Sequence, residues 1–155
     1  MYETSWNACE IRLTPLYCHH MKRMVLFDRI DIHVEVPMIE YKELRSGDGG
    51  ERSEVVKNRV VEARHRQQSR YAEHEGIHSN SMLPSRLMGI YCGIDSETSN
   101  YLEMTMSELN FSARAHDRIL KVARTLADLE GGENIAVQHV MEAVQYRTLD
   151  RKLMM

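Results

Sequence analysis

The chain has 155 residues, enough to bury a core as one domain without disulfide or metal staples. Charged residues at 28% and hydrophobic residues at 43% describe a globular chain, and no apolar run reaches membrane-spanning length. A formal net charge of −3 excludes a uniformly basic nucleic-acid coat, and three cysteines (Cys9, Cys18, Cys92) without framework spacing point to a reducing cytoplasm rather than secretion.

In chain order, the first clear element is Ile-Asp-Ile-His-Val-Glu-Val, residues 30–36. Ile30, Ile32, Val34 and Val36 alternate with Asp31, His33 and Glu35, which predicts a half-buried strand closed by Pro37. Residues 45–53, Arg-Ser-Gly-Asp-Gly-Gly-Glu-Arg-Ser, form the clearest linker. Beyond it the period becomes helical. Val56, Val60, Ala63, Gln67 and Tyr71 share one stripe of a helix that Ser53 can cap. Pro84 opens a short helix through Cys92, and Asp95 caps another running to about Leu109. Ser112 caps the longest pattern, in which Ile119, Leu120, Ala123, Leu126 and Ala127 share a face until Gly131-Gly132 stops it. A last helix places Val137, Val140, Met141 and Val144 inward. The expected organisation is an amino-terminal segment with the strand (1–37), a linker (38–52) and a helical domain (53–155).

Residues 74–78 read His-Glu-Gly-Ile-His, a literal H-E-x-x-H string. In zinc hydrolases this spacing puts His74 and His78 on one helix face to hold the metal, with Glu75 as general base. That chemistry needs an unbroken helix, and Gly76 costs about 1 kcal/mol there relative to Ala. The first long helix also runs out here, and no third ligand follows at a suitable spacing. A polar helix end entering a loop is the plainer reading. Cys9, Cys18, His19 and His20 fit no closed zinc module, and no acidic cluster resembles a calcium loop.

Ser-Gly-Asp-Gly-Gly-Glu-Arg-Ser (46–53) is glycine-rich but lacks the Gly-Lys-Ser/Thr ending that would hold β/γ-phosphates and magnesium. No Ser-His-Asp arrangement has local support either. The more informative signal is cationic. Arg114, Arg118 and Lys121 recur at i, i+4 and i+7, opposite the apolar stripe of the longest helix. Arg114 falls two residues after the candidate cap, where a guanidinium can fork onto a phosphate assisted by the helix's positive end. A solvated basic face is the competing reading.

Phe-Asp-Arg-Ile-Asp-Ile-His-Val-Glu-Val-Pro (27–37), Gly-Ile-His-Ser-Asn (76–80), residues 111–135 and residues 139–153 together resemble the carboxyl-terminal part of magnesium-chelatase-like AAA+ ATPases, in their bacterial competence-associated branch. The resemblance implies a mainly helical fold. It is a lid bundle of four to five helices, preceded by one strand left over from an α/β ATPase core. It implies a nucleotide-sensing role that couples ATP hydrolysis to DNA remodelling in recombination, in a cytoplasmic ring homo-oligomer using ATP and magnesium. By the same resemblance, Arg114 corresponds to the sensor-2 arginine, Arg29 to an arginine finger acting on a neighbouring subunit, and Arg118 to a weaker supporting contact. For Arg118, salt bridging around Asp117 or contact with solvent is the alternative. The phosphate-binding loop and the acidic magnesium motif are expected upstream of residue 1, so the isolated chain is expected to be a detached lid that needs no cofactor of its own and turns over no ATP. Where the family carries Gly-Pro-Leu-Leu before Asp-Arg, this chain reads Met-Val-Leu-Phe (24–27). Other readings are a stand-alone helical module docking on a full-length homologue, and a zinc hydrolase through His74 and His78.

Overall fold

The computed structural model describes residues 30–38 and 50–152, with side chains as far as Arg147. Among the described residues, five α-helices follow in order: α1 (Ser53–Arg70), α2 (Ser85–Tyr91), α3 (Ser96–Glu108), α4 (Ala113–Glu130) and α5 (Val137–Lys152). A 3-10 turn, Asn80–Met82, lies between α1 and α2. Among the described residues there is no strand, and no helix is long and apolar enough to cross a membrane. Residues 1–29, with Arg29, the Met-Val-Leu-Phe departure and the Cys9/Cys18/His19/His20 group, lie outside the described residues, as do residues 39–49 of the linker.

The centre of the bundle is α4. Ile119, Ala123 and Ala127 are fully enclosed, Leu120 nearly so, and Val140, Ala143 and Val144 of α5 pack against them. Full burial of side chains the size of Ile119 or Val140 stabilises by about 1.5–3 kcal/mol each. The alanines let the helices approach closely. Leu102 of α3, Met88 of α2 and Cys92 at its end, and Tyr71 and Leu83 beside the 3-10 turn close the core. Burial pushes the Cys92 thiol up to about 11, so it behaves as a small apolar residue rather than a nucleophile.

Helix ends follow their local chemistry. Asp95 and Ser112 are side-chain caps, accepting from the amides of Thr98 at 2.8 Å and Ala115 at 3.2 Å. Gly131 takes a left-handed φ of 83°, and the Gly132 amide donates to the Ala127 carbonyl at 2.8 Å, a Schellman stop. Asn110, at φ 48°, ends α3 in the same way, with the Phe111 amide donating to the Met106 carbonyl at 3.0 Å. This αα corner aims α4.

Three expectations are corrected. The cap of α1 is Arg52, not Ser53: the carbonyl of Arg52 already accepts from the amides of Val55 and Val56, which draws Ser53 inside the helix. Val56 and Val60 are exposed, because α1 packs on α4 only through its carboxyl-terminal half, where Ala63 and Gln67 are buried. In α5, Met141 is exposed while Ala143 and Arg147 turn inward, since the buried face follows His139, Val140, Ala143, Val144 and Arg147 at helical spacing.

The strand expected over 30–36 is not formed among the described residues. Ile32, Val34 and Val36 face outward, and His33, from the expected polar side, is the more buried. The segment lies against the helices instead. The His33 amide donates to the Tyr146 carbonyl at 2.9 Å, and Arg147 Nη1 donates to the Ile30 carbonyl at 3.2 Å. With the Tyr146 carbonyl and the Arg147 side chain as its partners, the alternation has no sheet to face.

Candidate functional site

The αα corner at Asn110 delivers an 18-residue helix whose first turn carries Arg114, exposed, two positions after the Ser112 cap. Free amides at such an end favour negative charge. Beside it, between α3 and α4, lies a cleft lined by Ile94, Leu102, Glu103, Met106, Ala113 and His116. Asp117 accepts from Ser85 Oγ at 2.6 Å, and this hydrogen bond, with His116 at 3.2 Å, holds its carboxyl below the usual range. That bond ties the start of α2 to the second turn of α4.

One turn after Arg114, Arg118 forms an ion pair with Asp31. The salt-bridge alternative for Arg118 is thus realised, with a partner 87 residues away rather than around Asp117. Lys121 donates to the Ser81 carbonyl at 3.2 Å. Arg118 and Lys121 therefore bind other parts of the chain.

Farther along α4, Asp128 is fully buried among cations. Arg70 grips it with both terminal nitrogens, Nη1 donating to Oδ2 at 2.9 Å. Arg124 donates through Nε at 3.2 Å and Nη2 at 2.9 Å, and Asn80 Nδ2 donates at 2.9 Å. Burial opposes the Asp128 charge, but hydrogen bonds from Arg70, Asn80 and Arg124 outweigh it and hold the carboxyl below its ordinary value. The hydrogen bond to Asp128 in turn raises Arg70. Arg124 also donates to the carbonyls of Gly132 at 2.8 Å and Glu133 at 2.7 Å. Asn80 completes the network, donating to Thr125 Oγ1 at 3.0 Å and accepting from Tyr71 Oη at 2.8 Å. Every strong donor here is matched, so the cluster is structural. It locks α1, the 3-10 turn and the α4–α5 corner onto one helix.

The profile of the family described as magnesium chelatase, subunit ChlI C-terminal, matches residues 50–147, from just before α1 to the end of the described side chains. The chain belongs to that family. Relatives of the whole stretch include the protein YifB of Salmonella typhimurium, 37% identical over 153 residues, which are 98% of this chain and 29% of the relative. YifB of Escherichia coli matches at the same identity and coverage. The competence protein ComM of Haemophilus influenzae is 36% identical over 127 residues, 81% of this chain and 24% of the relative. The chain therefore spans less than a third of these relatives' length.

Within this magnesium chelatase carboxyl-terminal domain, the predicted site residues fall apart into different settings. Arg114 and Arg118 share α4. Arg29 lies outside the described residues. His74 and His78 are not on a helix: α1 ends at Arg70, and Gly76 turns the chain at φ 83°. His74 Nε2 instead pairs with Tyr91 Oη at 2.7 Å, edge-on to that ring, while His78 is exposed. The string therefore lacks the geometry that its zinc chemistry demands. Among the described residues, no group of three or more His, Cys, Asp or Glu is placed to hold a metal ion. The Asp128 network was not anticipated. Its members are up to 58 residues apart, and the one local hint was an i,i+4 Arg124–Asp128 pair on a face otherwise apolar.

Proposed function

We propose that this chain is the nucleotide-sensing lid of a magnesium-chelatase-like AAA+ ATPase, with Arg114 contacting the γ-phosphate bound by the ATPase core. The observation that carries this reading is the position of Arg114, exposed in the first turn of a helix whose axis is fixed from behind by the buried Asp128 network. Bound ATP and magnesium supply the phosphoryl group and its counter-charge. The part of this chain is to place a fixed cation where charge develops. The ATPase core, or a full-length homologue, is the partner, and a ring of subunits is the assembly in which Arg29 acts across an interface as the arginine finger. Kinship with a protein named for competence favours DNA as the material such a ring works on.

In an intact ATPase carrying this lid, Arg114→Ala lowers hydrolysis about 10²- to 10³-fold, the scale for removing one preorganised donor to developing charge. Arg29→Ala has an effect of about 10³- to 10⁵-fold, the scale for an arginine finger. Phosphate release from assembled rings measures both, with circular dichroism showing that each variant folds. Mixing Arg29→Ala subunits with subunits lacking the phosphate-binding lysine restores part of the activity, because each contributes the half-site the other lacks. Normal turnover by Arg114→Ala rings sinks the sensor assignment.

A further inference from the structure

Asp31 stands two residues after Arg29 in the chain, and its partner Arg118 stands one helical turn after Arg114, about 6 Å farther along α4. Three contacts of different kinds hold this segment to the bundle. Arg118 pairs with the Asp31 carboxylate, Arg147 Nη1 donates to the Ile30 carbonyl at 3.2 Å, and the His33 amide donates to the Tyr146 carbonyl at 2.9 Å. They address residues 30, 31 and 33 from two helices, so they fix both the register and the direction of the segment. Arg118 is well covered, whereas Asp31 is half-exposed, so the pair behaves as a latch on a surface strap rather than as part of the core.

We propose that Arg118 is a positioning residue: by holding Asp31, it makes residues 30–33 move with α4, so that the helix sensing a subunit's own nucleotide also aims the chain that follows Arg29. The proposal rests on the sensor reading of Arg114 and gives Arg118 a role distinct from nucleotide contact. Two cations on one helix then do different work. Arg114 reads the bound phosphate, and Arg118 transmits the position of α4 to the segment that follows Arg29 in sequence.

The latch is tested first in the isolated chain by amide exchange. Arg118→Ala and Asp31→Ala each speed exchange at the His33 amide about fivefold, while amides in the middle of α4 keep their protection and report an intact fold. The charge swap Arg118→Asp with Asp31→Arg restores protection. Salt has the same direction of effect as the single variants, since a partly exposed pair is screened. Unchanged exchange at His33 in both single variants overturns the latch. In an intact ATPase carrying this lid, Arg118→Ala lowers kcat about tenfold with KM for ATP within twofold of the parent, and the swap recovers kcat. If Arg114→Ala abolishes turnover but Arg118→Ala leaves kcat unchanged, the positioning role is wrong and the sensor reading stands. A normal rate for Arg114→Ala removes the sensor reading, and with it the link between Arg118 and nucleotide, even where the exchange result shows the strap to be latched.

Discussion

Asp128 concentrates more hydrogen bonding than any other described side chain, and its replacement separates two physical effects. Asp128→Ala leaves the buried Arg124 and the part-buried Arg70 together without their counter-charge, a change that costs about 3–5 kcal/mol in comparable buried pairs. Urea unfolding followed by circular dichroism measures it, and a loss under about 1 kcal/mol contradicts the network as described. The pH dependence has a definite sign. The Asp128 carboxyl is held below its ordinary value when folded, so its contribution is complete above the unfolded carboxylate value of about 3.9. It is lost as pH falls through the lower folded value. The urea midpoint of the parent chain is therefore steady from pH 7 to 5 as far as Asp128 is concerned and drops below about pH 4. Asp128→Asn, already less stable at pH 7, loses that part of the acid slope. At His74, by contrast, the Tyr91 contact is one polar pair at the bundle surface, and His74→Ala costs about 1 kcal/mol or less. Protein purified without added metal should carry well under one equivalent of zinc by elemental analysis; one equivalent retained through purification and lost in His74→Ala contradicts this.

The helix ends carry predictions of their own, because two of them use left-handed residues of different kinds. Gly131→Ala meets both a φ of 83° and the Arg66 guanidinium, which lies 3.2 Å from the new methyl and donates to the Gly131 carbonyl. The expected cost is about 1–2 kcal/mol. Asn110→Gly, at φ 48°, stays within about 0.5 kcal/mol of the parent in the same unfolding assay. These local devices are what the sequence makes legible: Asp95, Ser112 and Gly131 announce α3 and α4 through the chemistry of three or four adjacent residues. The apolar face of α4 was equally plain because a central helix repeats its buried positions every turn. What local pattern cannot convey is which end of a helix finds a neighbour. Val56 and Val60 have the same spacing as Ala63 and Gln67, yet only the latter reach α4. Ile30–Val36 alternates as a strand would, but is held by the Tyr146 carbonyl and the buried Arg147. Asn80, the hub between α1 and α4, sits in a short polar run that gives no periodic signal. The first-turn position of Arg114 was legible from its distance to a cap. The Arg118–Asp31 pair, closing 87 residues, was not.

At the scale of the molecule, burial is distributed unevenly in a way that dictates where the fold yields first. Arg66 and Arg70 of α1 meet Gly131 and Asp128 of α4, so the two helices run antiparallel, and the amino-terminal part of α1 overhangs the α4–α5 corner. Every residue from Ser53 to Glu62 is exposed, a length of about 15 Å with no described packing partner beyond the Glu51–Arg59 ion pair at 2.9 Å. An isolated helix of that length is marginal in water. Four of these ten positions are valine, whose branched side chain lowers helix propensity further. The carboxyl-terminal half of the same helix is held by Ala63, Gln67 and the Arg70–Asp128 pair, so α1 does not melt as a unit. It frays inward from Ser53 and stops near Ala63. Brief trypsin treatment followed by intact-mass analysis checks this. Cleavage after Lys57 and Arg59 precedes cleavage after Arg118, Lys121 and Arg124 by at least about tenfold, because the latter bonds open only when the core does. Substituting the overhang supports the same conclusion by a different route: Val60→Lys changes the unfolding free energy by about 0.5 kcal/mol or less, whereas Ala63→Lys drives a charge against α4 and costs several-fold more. Equal resistance of Lys57 and Lys121 to trypsin, or a large loss of stability with Val60→Lys, means that the first three turns of α1 are packed and the overhang is wrong.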